Sequence, residues 1–183
     1  HHSFSLMGVQ EGWPVFLDHW VSGSPVVGDL DNDGDLDVAV QTHKGVVQLI
    51  DEEGVILQTL ESGDWSGYFS PLTSSPAIAD INNDGRMNVI AVHPYGANAW
   101  DAETGSLLPG WPVYMGNESF PGIYPGRSAP AVYDFTGDGY LEVVISRHLD
   151  DTSPVSVNTV WLFDHQGDIV WFRELETGGD DCF

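Results

Sequence analysis

Apolar positions along this chain come in short runs rich in Val, Ile, Leu and aromatic residues, and Gly, Pro, Asn or Asp closes each run. That punctuation predicts β-strands joined by turns. The runs group in fours. The first group is 25–30, 36–41, 46–50 and 55–60. A second group has strands at 87–92, 97–100 and 107–114, and a third at 141–146, 159–163 and 169–175. The strand that opens each group is written almost identically: Ser24-Pro25-Val26-Val27-Gly28-Asp29, Ser75-Pro76-Ala77-Ile78-Ala79-Asp80 and Ala129-Pro130-Ala131-Val132-Tyr133-Asp134. The offsets of 51 and 54 residues are those of a repeated supersecondary unit.

Tandem four-stranded units of this length are the mark of propeller blades, because each sheet buries its faces only against its neighbours. The reading is therefore all-β: a β-propeller segment of about three four-stranded antiparallel blades at 22–60, 75–115 and 128–175. Gly12-Trp13-Pro14-Val15 repeats Gly110-Trp111-Pro112-Val113, so 11–17 reads as the outer strand of a preceding blade. Residues 176–183 form an acidic C-terminal segment. The third and fourth strands of each unit meet at a tight turn carrying Gly54, Gly105 or Gly167.

The first and second strands of each unit are joined by something more specific. Residues 29–37 read D-L-D-N-D-G-D-L-D, with carboxylates at positions 1, 3, 5, 7 and 9 and Gly34 at position 6. Alternate oxygen ligands around a tight glycine turn are what a hard cation such as Ca²⁺ requires. The loop returns as Asp80-Ile81-Asn82-Asn83-Asp84-Gly85-Arg86-Met87-Asn88 and as Asp134-Phe135-Thr136-Gly137-Asp138-Gly139-Tyr140-Leu141-Glu142. A helical EF-hand loop would need a bidentate Glu at position 12. That position holds Val40, Ala91 or Ile145, each inside a strand-like run, so the helical alternative fails three times.

Strand, loop and following strand together resemble the FG-GAP/VCBS repeat family, the type found in integrin α-subunit propellers and many bacterial surface proteins, over about residues 12 to 175. The resemblance implies Ca²⁺ bound by the side chains at positions 1, 3, 5 and 9 and by the carbonyl at position 7. Those are Asp29, Asp31, Asp33 and Asp37 with the Asp35 carbonyl; Asp80, Asn82, Asp84 and Asn88 with that of Arg86; and Asp134, Thr136, Asp138 and Glu142 with that of Tyr140. Up to three ions are implied. The first loop, with the most carboxylates, ranks highest. The third follows, because threonine is a weak ligand. The second comes last, with two amides and the positive charge of Arg86. A shell filled by protein oxygens makes the expected role structural.

Charge narrows the partners. With 28 acidic residues against five basic ones the chain carries −23, and no basic stripe is available for nucleic acid. No apolar run approaches the ~18 residues of a membrane span. The single Cys182 excludes an intrachain disulfide, and Asn117-Glu118-Ser119 fits the N-glycosylation pattern. His1 and His2 carry no functional argument.

Strand parity places the acidic loops and the tight turns on one face and leaves the variable connections on the other, where recognition usually sits on a rigid scaffold. Those connections carry Trp65, Tyr68 and Phe69, then Phe120 and Tyr124, as candidate contacts for a protein or glycan ligand. The same rings could instead anchor their loops over the blade junctions. His43, His93 and His148 follow the second strands at near-equivalent places. They read as repeat-derived, partly exposed residues, because neighbouring blades hold such positions too far apart to share a zinc ion. No nucleophile elbow, HExxH or phosphate-cradling loop is present. The expected function is a non-enzymatic, calcium-stabilised, extracellular, secreted or cell-surface module for adhesion, ligand recognition or assembly, completed by further blades or other subunits. The alternative is the propeller scaffold of a carbohydrate-active enzyme, a polysaccharide lyase or hydrolase.

Overall fold

A computed structural model of the chain describes residues 12–17, 19–21, 23–61, 74–93, 96–115, 128–148 and 158–175, with the backbone alone at 148. Twelve strands form three sheets among them. The first sheet is β1 (Val26–Gly28), β2 (Asp37–Gln41), β3 (Val46–Ile50) and β4 (Ile56–Glu61). The second is β5 (Ala77–Ala79), β6 (Asn88–His93), β7 (Gly96–Asp101) and β8 (Val113–Tyr114). The third is β9 (Ala131–Tyr133), β10 (Glu142–His148), β11 (Asn158–Phe163) and β12 (Ile169–Leu175). Each sheet is antiparallel in chain order. These are three blades of a β-propeller.

In the first two blades the second and third strands are buried on both faces, which is why their runs read as continuously apolar. Between the first two blades Ala39, Leu49 and Leu60 pack against Val89, Ala91 and Trp100. Between the last two, Ile90, Ala99 and Val113 pack against Val143, Ile145 and Phe163. The opening strands neighbour one another in space, β1 beside β5 and β5 beside β9. Buried polar groups bridge neighbouring blades: Gln41 Nε2 on β2 donates to the Val92 carbonyl on β6 at 2.9 Å, and the Ser74 hydroxyl, ahead of β5, to the Ser128 carbonyl, ahead of β9, at 3.0 Å. Such bonds supply partners to groups that burial would otherwise leave unsatisfied.

The fourth strand of the second blade is shorter than its sequence predicts. The expected run 107–114 keeps one bridge, Leu107 to Trp100, and resumes as a strand only at Val113. Pro109-Gly110 turns the chain outward and Pro112 has no N–H to give the ladder. The excursion carries Trp111 onto the next blade, where its Nε1 donates to the His165 carbonyl at 3.1 Å. Trp13 does the same to Glu52 of the first blade at 2.9 Å. Residues 12–17 form no strand pairing among the described residues, yet they repeat the docking of 110–113.

Candidate metal centre

Each acidic loop is closed by a strand pair, Gly28↔Asp37, Ala79↔Asn88 and Tyr133↔Glu142, that joins the residue before position 1 to position 9. Position 9 thereby enters a strand and is buried, with Asp37 and Asn88 fully inaccessible. One oxygen of each position-9 side chain accepts the N–H of position 2: Leu30 to Asp37 Oδ2 at 2.7 Å, Ile81 to Asn88 Oδ1 at 2.9 Å, and Phe135 to Glu142 Oε2 at 2.7 Å. The other atom of the pinned side chain then determines what the loop can hold.

In the first loop that atom is Asp37 Oδ1, a buried oxygen with no hydrogen-bond partner, and Asp29 Oδ1 is in the same condition. Asp29, Asp31 and Asp33 offer oxygens that lie within 4.8 Å of one another. Burial pushes the Asp37 carboxyl above its ordinary value; the Leu30 N–H opposes the shift and the charges of Asp31 and Asp33 add to it. Asp37 is not among the three carboxylates that cluster, but its buried, donor-free oxygen and that of Asp29 are what a cation would satisfy. The first loop fits the group.

The third loop also gathers Asp134, Asp138 and Glu142 within 4.8 Å. Its position-9 atom is already engaged, because the Thr136 hydroxyl donates to Glu142 Oε1 at 3.1 Å. In the second loop the corresponding atom is Asn88 Nδ2, a buried donor rather than an acceptor. Asn82 Nδ2 turns inward to Asp84 at 3.1 Å, and Arg86 reaches the same carboxylate at 3.4 Å. Burial would raise the Asp84 carboxyl, but the Arg86 N–H, Asn82 and the Arg86 guanidinium hold it below its ordinary value.

Two features escaped the sequence reading. Position 4 lies in the left-handed region in every loop, with φ of 64° at Asn32, 53° at Asn83 and 78° at Gly137. The Asn, Asn, Gly series at that position was the available signal. The second feature is a contact between position 7 and the tight turn of the same blade. Asp35 and Asp33 cluster with Glu52, Arg86 meets Asp101 and Glu103, and the Tyr140 ring stacks on His165 at 4.1 Å. Glu52 hydrogen-bonds its own backbone, which lowers its carboxyl, yet partial burial and the charges of Glu53 and Asp33 raise it overall. These contacts place acidic loops and tight turns on one face, as strand parity requires.

Trp65, Tyr68, Phe69, Asn117, Phe120, Tyr124 and Cys182 lie outside the described residues. Of the three histidines, His43 sets its ring edge-on to Trp20 and His93 sets its ring edge-on to Tyr114. The expectation of partial exposure fails at His93, which is 1% exposed because β6 is sandwiched on both faces. Burial lowers its imidazole to about 4 from 6.5. The folded state thus holds His93 neutral while the unfolded chain takes up a proton. Its contribution is complete above pH 6.5 and is lost as the pH falls toward 4, about 3 kcal/mol in all. Denaturant titrations from pH 7 to pH 4 are expected to show that loss, and His93→Gln to remove most of it; an equally steep loss in the variant refutes the assignment.

Three four-stranded sheets set side by side at their opening strands, with an oxygen-rich loop at one end of each, define a propeller with candidate metal loops. Residues 80–145, from the second loop into the strand after the third, match the FG-GAP-like repeat family. That match takes in the second and third loops. No curated protein is detectably similar in sequence. Among solved structures, quinohemoprotein alcohol dehydrogenase ADHIIG from Pseudomonas putida HK5 is similar over 91% of this chain and 22% of its own, with 18% identity and a TM-score of 0.65. The quinohemoprotein alcohol dehydrogenase of Comamonas testosteroni is similar over 85% of this chain and 21% of its own, with 20% identity and a TM-score of 0.56. The Pseudomonas aeruginosa PilY1 C-terminal domain is similar over 79% of this chain and 37% of its own, with 21% identity and a TM-score of 0.54. The chain spans well under half the length of each, and the likeness is one of fold.

Proposed function

We propose that this chain is a non-enzymatic, calcium-stabilised part of a β-propeller that works outside the cell in adhesion, ligand recognition or surface assembly. The observation that carries the calcium reading is the pair of buried, partnerless oxygens Asp29 Oδ1 and Asp37 Oδ1 beside Asp31 and Asp33. An ion there would tie the entry of β2 to the loop that precedes it and offset the burial of the Asp37 charge. Supporting the setting are the −23 charge and the FG-GAP-like repeat. No helix among the described residues is long and apolar enough to cross a membrane.

The role of the ion is structural, and recognition of a protein or glycan belongs to the opposite face, on the connections that carry Trp65, Tyr68, Phe69, Phe120 and Tyr124. Further blades or subunits cover the outer flanks, where Phe16 and Trp20 on one side and Ile169, Phe172 and Leu175 on the other are exposed. A thermal melt with and without Ca²⁺ tests the calcium reading: the midpoint is expected to rise with Ca²⁺ and to fall back with chelator. A midpoint indifferent to both refutes it. A glycan array on the calcium-loaded protein then separates glycan from protein recognition.

A further inference from the structure

The second loop has the spacing of a cation site and a different chemistry inside it. Position 9 is an amide whose oxygen is held by the Ile81 N–H, so its Nδ2 stands where the first loop presents Asp37 Oδ1. An N–H₂ group cannot ligate a hard cation, since its hydrogens carry the same sign of charge. Only two carboxylates remain, Asp80 and Asp84. Asp80 gives its oxygens to the Asp84 and Gly85 N–H groups at 3.0 and 2.8 Å, and Asp84 is engaged by Asn82 and Arg86. One buried acceptor is left over, Asn82 Oδ1, and a single neutral oxygen does not make a divalent site.

A positive charge is nevertheless present. The Arg86 guanidinium lies 3.4 Å from Asp84 of its own loop, 3.3 Å from Asp101 and 3.9 Å from Glu103. Asp101 ends β7 and is largely buried; its other oxygen accepts the Thr104 N–H and hydroxyl at 2.8 and 2.9 Å, which holds the turn to β8 in place. Arg86 thus joins loop to turn at the location where the first blade gathers Asp33, Asp35 and Glu52, and where the third blade stacks Tyr140 on His165.

We infer that the second loop carries its own cation: the Arg86 guanidinium, bridging Asp84, Asp101 and Glu103, replaces a bound metal ion, and Asn88 keeps such an ion out. This blade is then held independently of calcium, whereas its neighbour in the first loop depends on it. The arrangement suits a planar, permanently charged group with several donors, which can serve three carboxylates at once.

The test counts Ca²⁺ per chain by calorimetric titration and measures the melting midpoint in chelator and in calcium. Asp84→Asn is expected to leave the number of bound ions unchanged. Arg86→Ala is expected to lower the midpoint by roughly 2–4 °C, by the same amount with and without Ca²⁺. The double variant Arg86→Asp with Asn88→Asp gives positions 7 and 9 the first loop's residues, leaving Asn82 at position 3, and is expected to gain one ion per chain and a larger calcium-dependent rise. Loss of an ion in Asp84→Asn, an unchanged midpoint in Arg86→Ala, or no gain in the double variant overturns the inference. Each comparison is a difference made at the second loop, so it stands or falls apart from the first loop's affinity.

Discussion

Asp37→Asn is expected to abolish the calcium-dependent rise in melting temperature and to leave the calcium-free protein as stable as the parent, or more so. Asn88 shows why the calcium-free state tolerates the change: an asparagine at position 9 still accepts the position-2 N–H while filling the same space. The direction of any gain follows from ionisation. Burial raises the folded pKa of Asp37 above 3.8, so the native state holds its proton more tightly than the unfolded chain. Ionising Asp37 is then a cost to folding that develops as pH climbs through that raised value and persists at neutral pH. Asparagine removes the cost, and it also removes the buried anionic oxygen on which the ion depends. For the parent at 100 times the dissociation constant, the mass-action gain is about 2.7 kcal/mol, or about 5–10 °C for a chain of this size. The variant should shift by no more than about 1 °C under the same conditions. Asp37→Ala separates the two roles, because it also strips the Leu30 N–H of its acceptor and should lower the calcium-free stability by about 1–3 kcal/mol. A parental calcium response in Asp37→Asn would show that the stabilising ion does not depend on position 9 of the first loop.

Much of the architecture is written in the sequence because the repeat supplies it three times. The Ser-Pro and Ala-Pro openings, the nine-residue loops and the strands after them fall where the periodicity places them, and β2, β6 and β10 begin at position 9 in each case. What the pattern could not show are the features that differ between copies. The fourth strand of the second blade is interrupted because Trp111 is drawn to the neighbouring turn, a tertiary demand that no local rule encodes. His93 is buried because β6 is sandwiched on both faces, with Tyr114 set edge-on to its ring, whereas its repeat mate His43 lies partly open beside Trp20. The difference in carboxylate number among the three loops was legible in the sequence, but the contacts that set the second loop apart were not. Those required knowing which atom of position 9 the backbone claims, and that Asp101 and Glu103, fifteen and seventeen residues beyond Arg86 in the sequence, come round to meet it. Opposite-charge spacing along the chain gives no sign of a contact made across a blade.

Gly110→Ala should be among the most damaging single substitutions in the chain. Gly110 has φ of 85°, and a Cβ there would stand 1.6 Å from the Gln166 carbonyl oxygen. The opposing residue is also a glycine: a Cβ on Gly167 would meet the Gly110 carbonyl oxygen at 2.6 Å. Two backbones therefore touch with no side chain on either, and neither can retreat, since the Gly167 N–H is bonded to the Asp164 carbonyl at 3.0 Å. Relieving the overlap means lifting 109–112 off the third blade, and that withdraws Trp111 from the core it shares with Phe163 and Ile145. Strain at positive φ of about 1–2 kcal/mol adds to an overpacking cost of about 1–3 kcal/mol, and the two together correspond to a fall of roughly 4–20 °C in the melting midpoint. Gly137→Ala is the control, because its φ of 78° brings the same kind of strain with nothing within 4 Å of the added carbon. If the two variants melt within a degree or two of each other, the docking of Trp111 contributes nothing and the second blade is held by its own ladder. If Gly110→Ala falls far below the control, the blade junction is the fragile element. Gly12→Ala, 1.6 Å from the Glu53 carbonyl oxygen, should then release residues 12–17 from the first blade by the same clash, seen as increased solvent exposure of Trp13 in fluorescence quenching.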